Sequence, residues 1–196
     1  MIVVVGRPGL DEKDQLDRPA ALIALAARAA GADADVVGAI GDDADGDRVA
    51  VALGKGGIGH AALLRDPAAA TPRLGAGGPL PRLDGQDVEL GLAYLAEYRV
   101  LVVAEQLEPS AVAAARDAAA FQGASLIVVA AAGGAAPADL PKTATVLEMP
   151  EEDEGAFAEL VGRYAAALER GEDAAAAWQA ALAAGGWETS EEAGAG

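Results

Sequence analysis

The 196-residue sequence is 53% hydrophobic but only 4% aromatic, which calls for a core built mainly of Ala, Val and Leu. Thirty-one acidic side chains against 14 basic ones give a net charge of −17, so a nucleic-acid backbone or an anionic membrane surface is repelled and neither is expected as a partner. Cysteine is absent, which removes disulfides, thiolate nucleophiles and Cys-based zinc sites together.

Residues 2–5 form a short apolar run ended by Gly6, Pro8 and Gly9, the pattern of a buried strand leaving through a tight turn. The run opens the chain without a basic leader and long apolar stretch, and no window reaches the roughly eighteen apolar residues that span a bilayer, so a cytoplasmic protein is expected. A helix follows over 20–30, with Asp17 as its N-cap, Pro19 in its first turn and Gly31 as its stop. A second strand is expected at 35–40, a polar loop at 41–46, and then a helix carrying Val49 to Leu53 with Asp45 as cap.

A third strand is placed at 61–64. Residues 71–87 hold Gly and Pro without periodicity and read as a mobile loop or linker. Strands at 98–103, 125–130 and, more weakly, 145–147 alternate with a helix from Pro109 to Gln122 that Gly123 closes. Two helices end the chain, at 152–170 and 173–184, with Gly171 and Gly185 as stops, and 189–196 has the composition of a disordered tail. Strand and helix in alternation imply right-handed crossovers, hence one α/β domain over 1–188 with a mostly parallel sheet and helices on both faces.

Within 26–72 the order is a helix ending in Gly, a strand, the turn Val37, Gly38, Gly41, Asp43 and Gly46, a short helix ending at Leu53, the turn Gly57-Ile58, and then Thr71-Pro72. This series resembles the PfkB, or ribokinase-type, carbohydrate kinases. Phe157, 165–168, Gly171 and 174–184 are similar to the family's closing helix pair, and Gly6 and Asp11 to its opening strand and sugar-binding Asp. The resemblance implies a three-layer ribokinase-like, Rossmann-like fold, with Gly41 and Asp43 near the substrate, Asp11 on a polyol hydroxyl, and ATP with magnesium as cofactors of an active member.

Departures from that pattern shape the functional expectation. Where the family places a Gly-Gly pair and an Asn that hold sugar hydroxyls, this sequence has Asp17, Arg18 and Leu22, and the stretch from Asp11 to Asp17 is too short for a full β-lid, which is expected to be reduced or absent. The G-A-G-D motif, whose backbone N–H groups stabilise the moving phosphoryl group while the Asp takes a proton, falls on Glu152, Asp153, Glu154 and Gly155 when aligned on Phe157. Asp153 and Gly155 are thus the catalytic candidates that this motif offers. A second alignment places 149–162 on the family's P-N-E-x-E segment, with Met149 in place of Asn.

Asp42, Asp43, Asp45 and Asp47 lack the D-x-D-x-D-G spacing and twelfth-position Glu of a calcium loop, and turn and cap chemistry accounts for them. His60 has no triad partner in sequence, Gly6-x-x-Gly9 is not a dinucleotide fingerprint, and Trp178 and Trp187 read as packing for the terminal helices. No metal site is expected. The expectation is a ribokinase-like pseudoenzyme acting as a binding, regulatory or structural subunit, self-associating or bound to a partner protein. The alternative is a minimal ATP-dependent carbohydrate or nucleoside kinase with Asp11 or Asp153 as base.

Overall fold

A computed structural model describes residues 1–150 and 152–186. The expectations for Glu151, Trp187 and the tail at 189–196 lie outside the described residues.

Six strands form a parallel sheet: β1 (Ile2–Val5), β4 (Ala34–Gly41), β5 (Gly59–Asp66), β6 (Val100–Val103), β7 (Ser125–Ala130) and β8 (Thr145–Glu148). Their order is β5-β4-β1-β6-β7-β8, with β1 paired to β4 on one side and to β6 on the other. A strand buried on both faces needs no polar alternation, and β1, Ile-Val-Val-Val, has none. Its side chains divide by parity: Ile2 and Val4 join one core with Val100, Val102, Ile127 and Val129, whereas Val3 and Val5 join the other with Leu101, Val103, Leu126 and Val128.

Helices cover both faces. The first core is closed by α1 (Pro19–Ala29), α2 (Ala44–Lys55), α5 (Glu154–Glu169) and α6 (Ala174–Gly185). The second is closed by α3 (Gly85–Ala93) and α4 (Pro109–Gln122). With few aromatic rings available, α1 and α5 pack by close approach. A Cβ on Gly162 would lie 2.5 Å from Ala26 Cβ and 2.8 Å from the Ala27 nitrogen. Tyr164 and Trp178 meet edge to face at 5.3 Å between centroids and 85° between planes, so Trp178 does pack the terminal helices.

Between β1 and α1 lies a small antiparallel hairpin, β2 (Gly9–Leu10) with β3 (Leu16–Asp17), which is all that stands in the place of a lid. Asp17 therefore belongs to a strand and does not cap α1. That position falls to Arg18, which makes no side-chain cap. Asp43, rather than Asp45, caps α2, its carboxylate accepting the Gly46 N–H. The segment read as a linker ends in a helix: α3 begins at Gly85 behind a reciprocal capping box of Asp84 and Asp87. The closing helix starts at Glu154, two residues later than expected, because Asp153 at φ 62 turns the chain into it.

Candidate functional site

From β1 the chain moves to β4 and β5 on one side, and from β6 it moves the other way, so the loops after β1 and β6 part over two neighbouring strand ends. Such a switch point is where open parallel sheets bind ligands. Gly6 and Arg7 follow β1 there, and Ala104 and Glu105 follow β6. Glu105 Oε1 accepts the Arg7 backbone N–H at 2.6 Å and lies 3.3 Å from Arg7 Nη1. Arg7 Nε donates to the Pro81 carbonyl at 2.6 Å, tying the loop before α3 to the same point. Arg18 reaches in from the head of α1, with Nη2 3.8 Å from Glu105 Oε2. Gly6 leaves room for this carboxylate: a Cβ there would stand 3.3 Å from Glu105 Oε1 and 3.0 Å from Ala20 Cβ.

On the far side of Glu105, the ends of β6 and β7, the first turns of α4 and residues 134–140 enclose a cleft of about 310 Å³. Leu107, Val112, Val129 and Leu140 make its lining apolar, and Arg116 and Asp139 bring charge to it. Arg116 Nη1 donates to the Asp139 carbonyl at 3.3 Å, holding the loop to α4. A cavity of this size, at the C-terminal ends of parallel strands, suits a small ligand.

The turn Val37 to Gly46 forms a clasp with Thr71. Asp43 Oδ1 accepts the Gly46 N–H and the Thr71 hydroxyl, each at 2.7 Å, and Oδ2 accepts the Thr71 N–H at 2.8 Å. The Gly41 N–H in turn donates to Thr71 Oγ1 at 2.9 Å. Burial pushes the Asp43 carboxyl up, but the bonds from Thr71 and Gly46 together outweigh it and hold the group below the ordinary carboxylate range. Gly41 is required by space, since a Cβ would fall 2.5 Å from the Thr71 nitrogen. The structure thus joins Gly41, Asp43, Gly46 and Thr71, and their polar groups point at one another. After α2, Gly57 takes φ 70 and Ile58 is buried, as the motif order suggests.

Asp11 sits in the turn of the β2–β3 hairpin. Its Oδ1 accepts the Lys13 and Gln15 N–H groups at 2.7 and 2.8 Å, and its carbonyl accepts Arg73 Nη1 at 2.8 Å. Arg73 also binds Asp14 at 2.6 Å and Asp45 at 2.9 Å, so Asp45 anchors the hairpin to the head of α2. Asp153 Oδ1 accepts the Ala156 N–H at 3.1 Å, and its neighbours Glu152 and Glu154 add two more carboxylates at the helix start. Gly155 lines a shallow groove between α1 and α5 with Leu22 and Ala26. The two helices that the resemblance makes site-bearing therefore do meet. Both alignments meet at the connection between β8, which ends at Glu148, and α5, which starts at Glu154 and carries the rest of 149–162. Among the described residues no group of three or more His, Asp or Glu side chains could hold a metal ion.

Arg7, Glu105 and Arg116 went unnoticed in the sequence. The signal for Glu105 was its position, two residues after a clear buried strand, where a parallel sheet places ligand-facing groups.

Three parallel layers, this strand order and a switch-point crevice define a ribokinase-like α/β fold. Solved structures bear this out. Phosphofructokinase-2 from Escherichia coli, in a tetrameric inhibited form, superposes with a TM-score of 0.69 at 14% identity over 94% of this chain and 92% of that one. A microbiome-derived acarbose kinase matches at 0.64 and 18% over 95% and 91%, and Arabidopsis thaliana ribokinase complexed with ribose and ATP at 0.61 and 14% over 94% and 90%. No family model and no curated protein matches the sequence.

Proposed function

We propose that this chain is a ribokinase-fold protein without phosphoryl transfer, acting as a binding, regulatory or structural subunit. The observation that carries this reading is the head of α5. In the alignment on Phe157, Glu152, Asp153 and Glu154 take the places of the backbone donors that a phosphoryl group needs, and Asp153 is engaged by the Ala156 N–H of its own helix. A run of carboxylates there repels the phosphates of ATP, and the donor set does not fit a nucleotide with magnesium. The other candidates support the reading in the same way: Asp11 is bound within its own turn and Asp43 within the Thr71 clasp.

The fold neighbours favour a competing reading, an ATP-dependent carbohydrate or nucleoside kinase using Asp11 or Asp153. One assay separates the two. Purified protein is given ATP, magnesium and a panel of sugars and nucleosides, and ADP release is followed. We expect no release above the acceptor-free background. Turnover that Asp153→Asn abolishes would overturn the proposal.

As a subunit, the chain is proposed to self-associate or to bind a partner protein. Leu90 on α3, Tyr94 at its C-cap and Phe121 on α4 are exposed, Phe121 by 89%, and β5 and β8 are sheet edges. Light scattering behind size exclusion tests this. A strict monomer that recovers no partner would count against it.

A further inference from the structure

The hydrogen-bond ladder between β6 and β7 stops in a way that the other ladders of the main sheet do not. Where β1 meets β4, β1 meets β6, β4 meets β5 and β7 meets β8, an N–H beyond one strand donates to a carbonyl of its neighbour: Gly6 to Val37, Ala104 to Val5, Asp42 to Asp66 and Met149 to Ala130. At β6–β7 no such bond forms among the described residues. The paired register ends at Val103 with Val128, although β7 runs on to Ala130 and keeps β8 as its partner there.

The alternation of a parallel ladder identifies the groups left open. The Ser125 N–H donates to the Arg99 carbonyl at 2.8 Å, so Ser125, Ile127 and Val129 turn their backbone groups toward β6. The Ala130 carbonyl turns to β8, where it accepts the Met149 N–H at 2.9 Å. The Val129 carbonyl and the Ala131 N–H therefore point to the β6 side, and neither enters a hydrogen bond among the described residues. Had β6 run on, Glu105 would meet both with its own N–H and carbonyl, and these too are without partners among the described residues. Val129 is only 2% exposed, and backbone groups at such depth are nearly always paired.

This fork opens into the cleft of about 310 Å³, whose lining includes Glu105, Leu107, Val112, Val129, Ala131 and Leu140. Leu107, Val112 and Leu140 belong with the second core, so the cleft lies across the sheet from α1. The loop over it is pinned elsewhere: the Gly133 N–H donates to Glu148 Oε1 at 2.6 Å, the Gly134 N–H to the Ala131 carbonyl at 2.9 Å, and Arg116 to the Asp139 carbonyl. Charge in the lining is already matched, Glu105 by Arg7 and Arg116 by Asp117, and Asp139 is exposed. From an open backbone fork at the floor of an apolar cleft we infer a binding site for a small, neutral, flat ring that carries an N–H donor beside a carbonyl acceptor, the edge of a cyclic amide. The ligand N–H donates to the Val129 carbonyl and its carbonyl accepts the Ala131 N–H, making the two bonds that β6 leaves unmade, with the ring against Leu107, Val112 and Leu140. The inference goes beyond the non-catalytic reading and does not rest on it, because binding is read in the absence of nucleotide.

Amide-resolved NMR spectra of the full chain are titrated with 2-pyridone, which carries the edge, and with N-methyl-2-pyridone, which keeps the ring and carbonyl but lacks the donor. Saturable shifts centred on Glu105, Val129 and Ala131 are expected with 2-pyridone, with a dissociation constant of about 1 mM, which a well-placed fragment of this size reaches. The N-methyl compound is expected to bind at least about tenfold more weakly, the loss of one hydrogen bond. Ala113→Leu, which fills the cleft from α4, is expected to remove the response to 2-pyridone. If that variant does not fold, the comparison of the two compounds on the parent chain decides. A flat titration with 2-pyridone would mean that water alone closes the fork, and it would overturn the inference. Equal affinity for the two compounds, shifts confined to other parts of the molecule, or an undiminished response in a folded Ala113→Leu would overturn it as well.

Discussion

Asp43 shows how a motif that suggests ligand binding can be used up by the fold. One carboxylate closes α2, receives both donors of Thr71 and fixes the loop that follows β5. Asp43→Ala removes an N-cap, worth roughly 0.5–2 kcal/mol, and strands donors of a buried Thr71, about 1–3 kcal/mol more. A fall in melting temperature of roughly 5–15 °C is expected, with Asp43→Asn losing less because the amide still caps. The Asp43 carboxyl lies below its ordinary range in the folded state, so its contribution is present above the ordinary value and is lost as pH falls through the folded one. Parent and Asp43→Asn melts should therefore converge in acid and separate at neutral pH. Asp35 is the opposite case. Burial beneath the Gly59 backbone raises its carboxyl, His60 offsets only part of this, and Asp33 adds to it. Its folded form favours the proton, so stability is greatest below the unfolded value and declines as pH rises through the folded one. Asp35→Asn should melt higher than the parent at pH 7 and equal to it in acid. A lower melt at pH 7 would sink this account.

The elements legible in the sequence were those whose signal is local. Apolar runs of four or more gave β1, β4, β6 and β7, and Pro109 with Gly123 bounded α4 at both ends. The missed helix, α3, is nine residues long and sits behind a Gly- and Pro-rich stretch, and its capping box used Asp at both positions rather than the Ser/Thr and Glu of the usual pattern. In the candidate site, the motif residues could be named but not their partners. That Thr71 would satisfy Asp43, or that Glu105 would face Arg18 from a loop 87 positions away, depends on tertiary contacts that no spacing encodes. Glycine use on α5 was equally opaque, and it makes a paired prediction. Gly162→Ala adds about 1 kcal/mol of helix propensity but drives a Cβ against Ala26, Ala27 and the Ile23 carbonyl, so a net loss of about 1–3 kcal/mol is expected. Gly155→Ala meets only Asp153 Oδ1, at 3.9 Å, and should raise the melting temperature. Equal effects at the two positions would show that α1 and α5 do not pack as described.

At the scale of the whole molecule, 31 acidic groups against 14 basic ones confine a net charge of −17 to 196 residues. The ion pairs that could offset it are mostly exposed: Arg65 with Asp42 and Asp47, Arg163 with Glu159, and Arg170 with Glu172 all face solvent. Exposed pairs contribute about 0–1 kcal/mol each, whereas self-repulsion acts among all the surplus carboxylates at once. Salt weakens both, but the repulsion is the larger sum, and its reach of about 10 Å at 0.1 M is cut to about 3 Å at 1 M. Raising sodium chloride from about 0.02 M to about 0.5 M should therefore raise the melting temperature, and the gain should level off as screening saturates. A melting temperature that falls with chloride would mean that the specific pairs around Arg73 and Glu105, rather than bulk repulsion, set the stability of this fold.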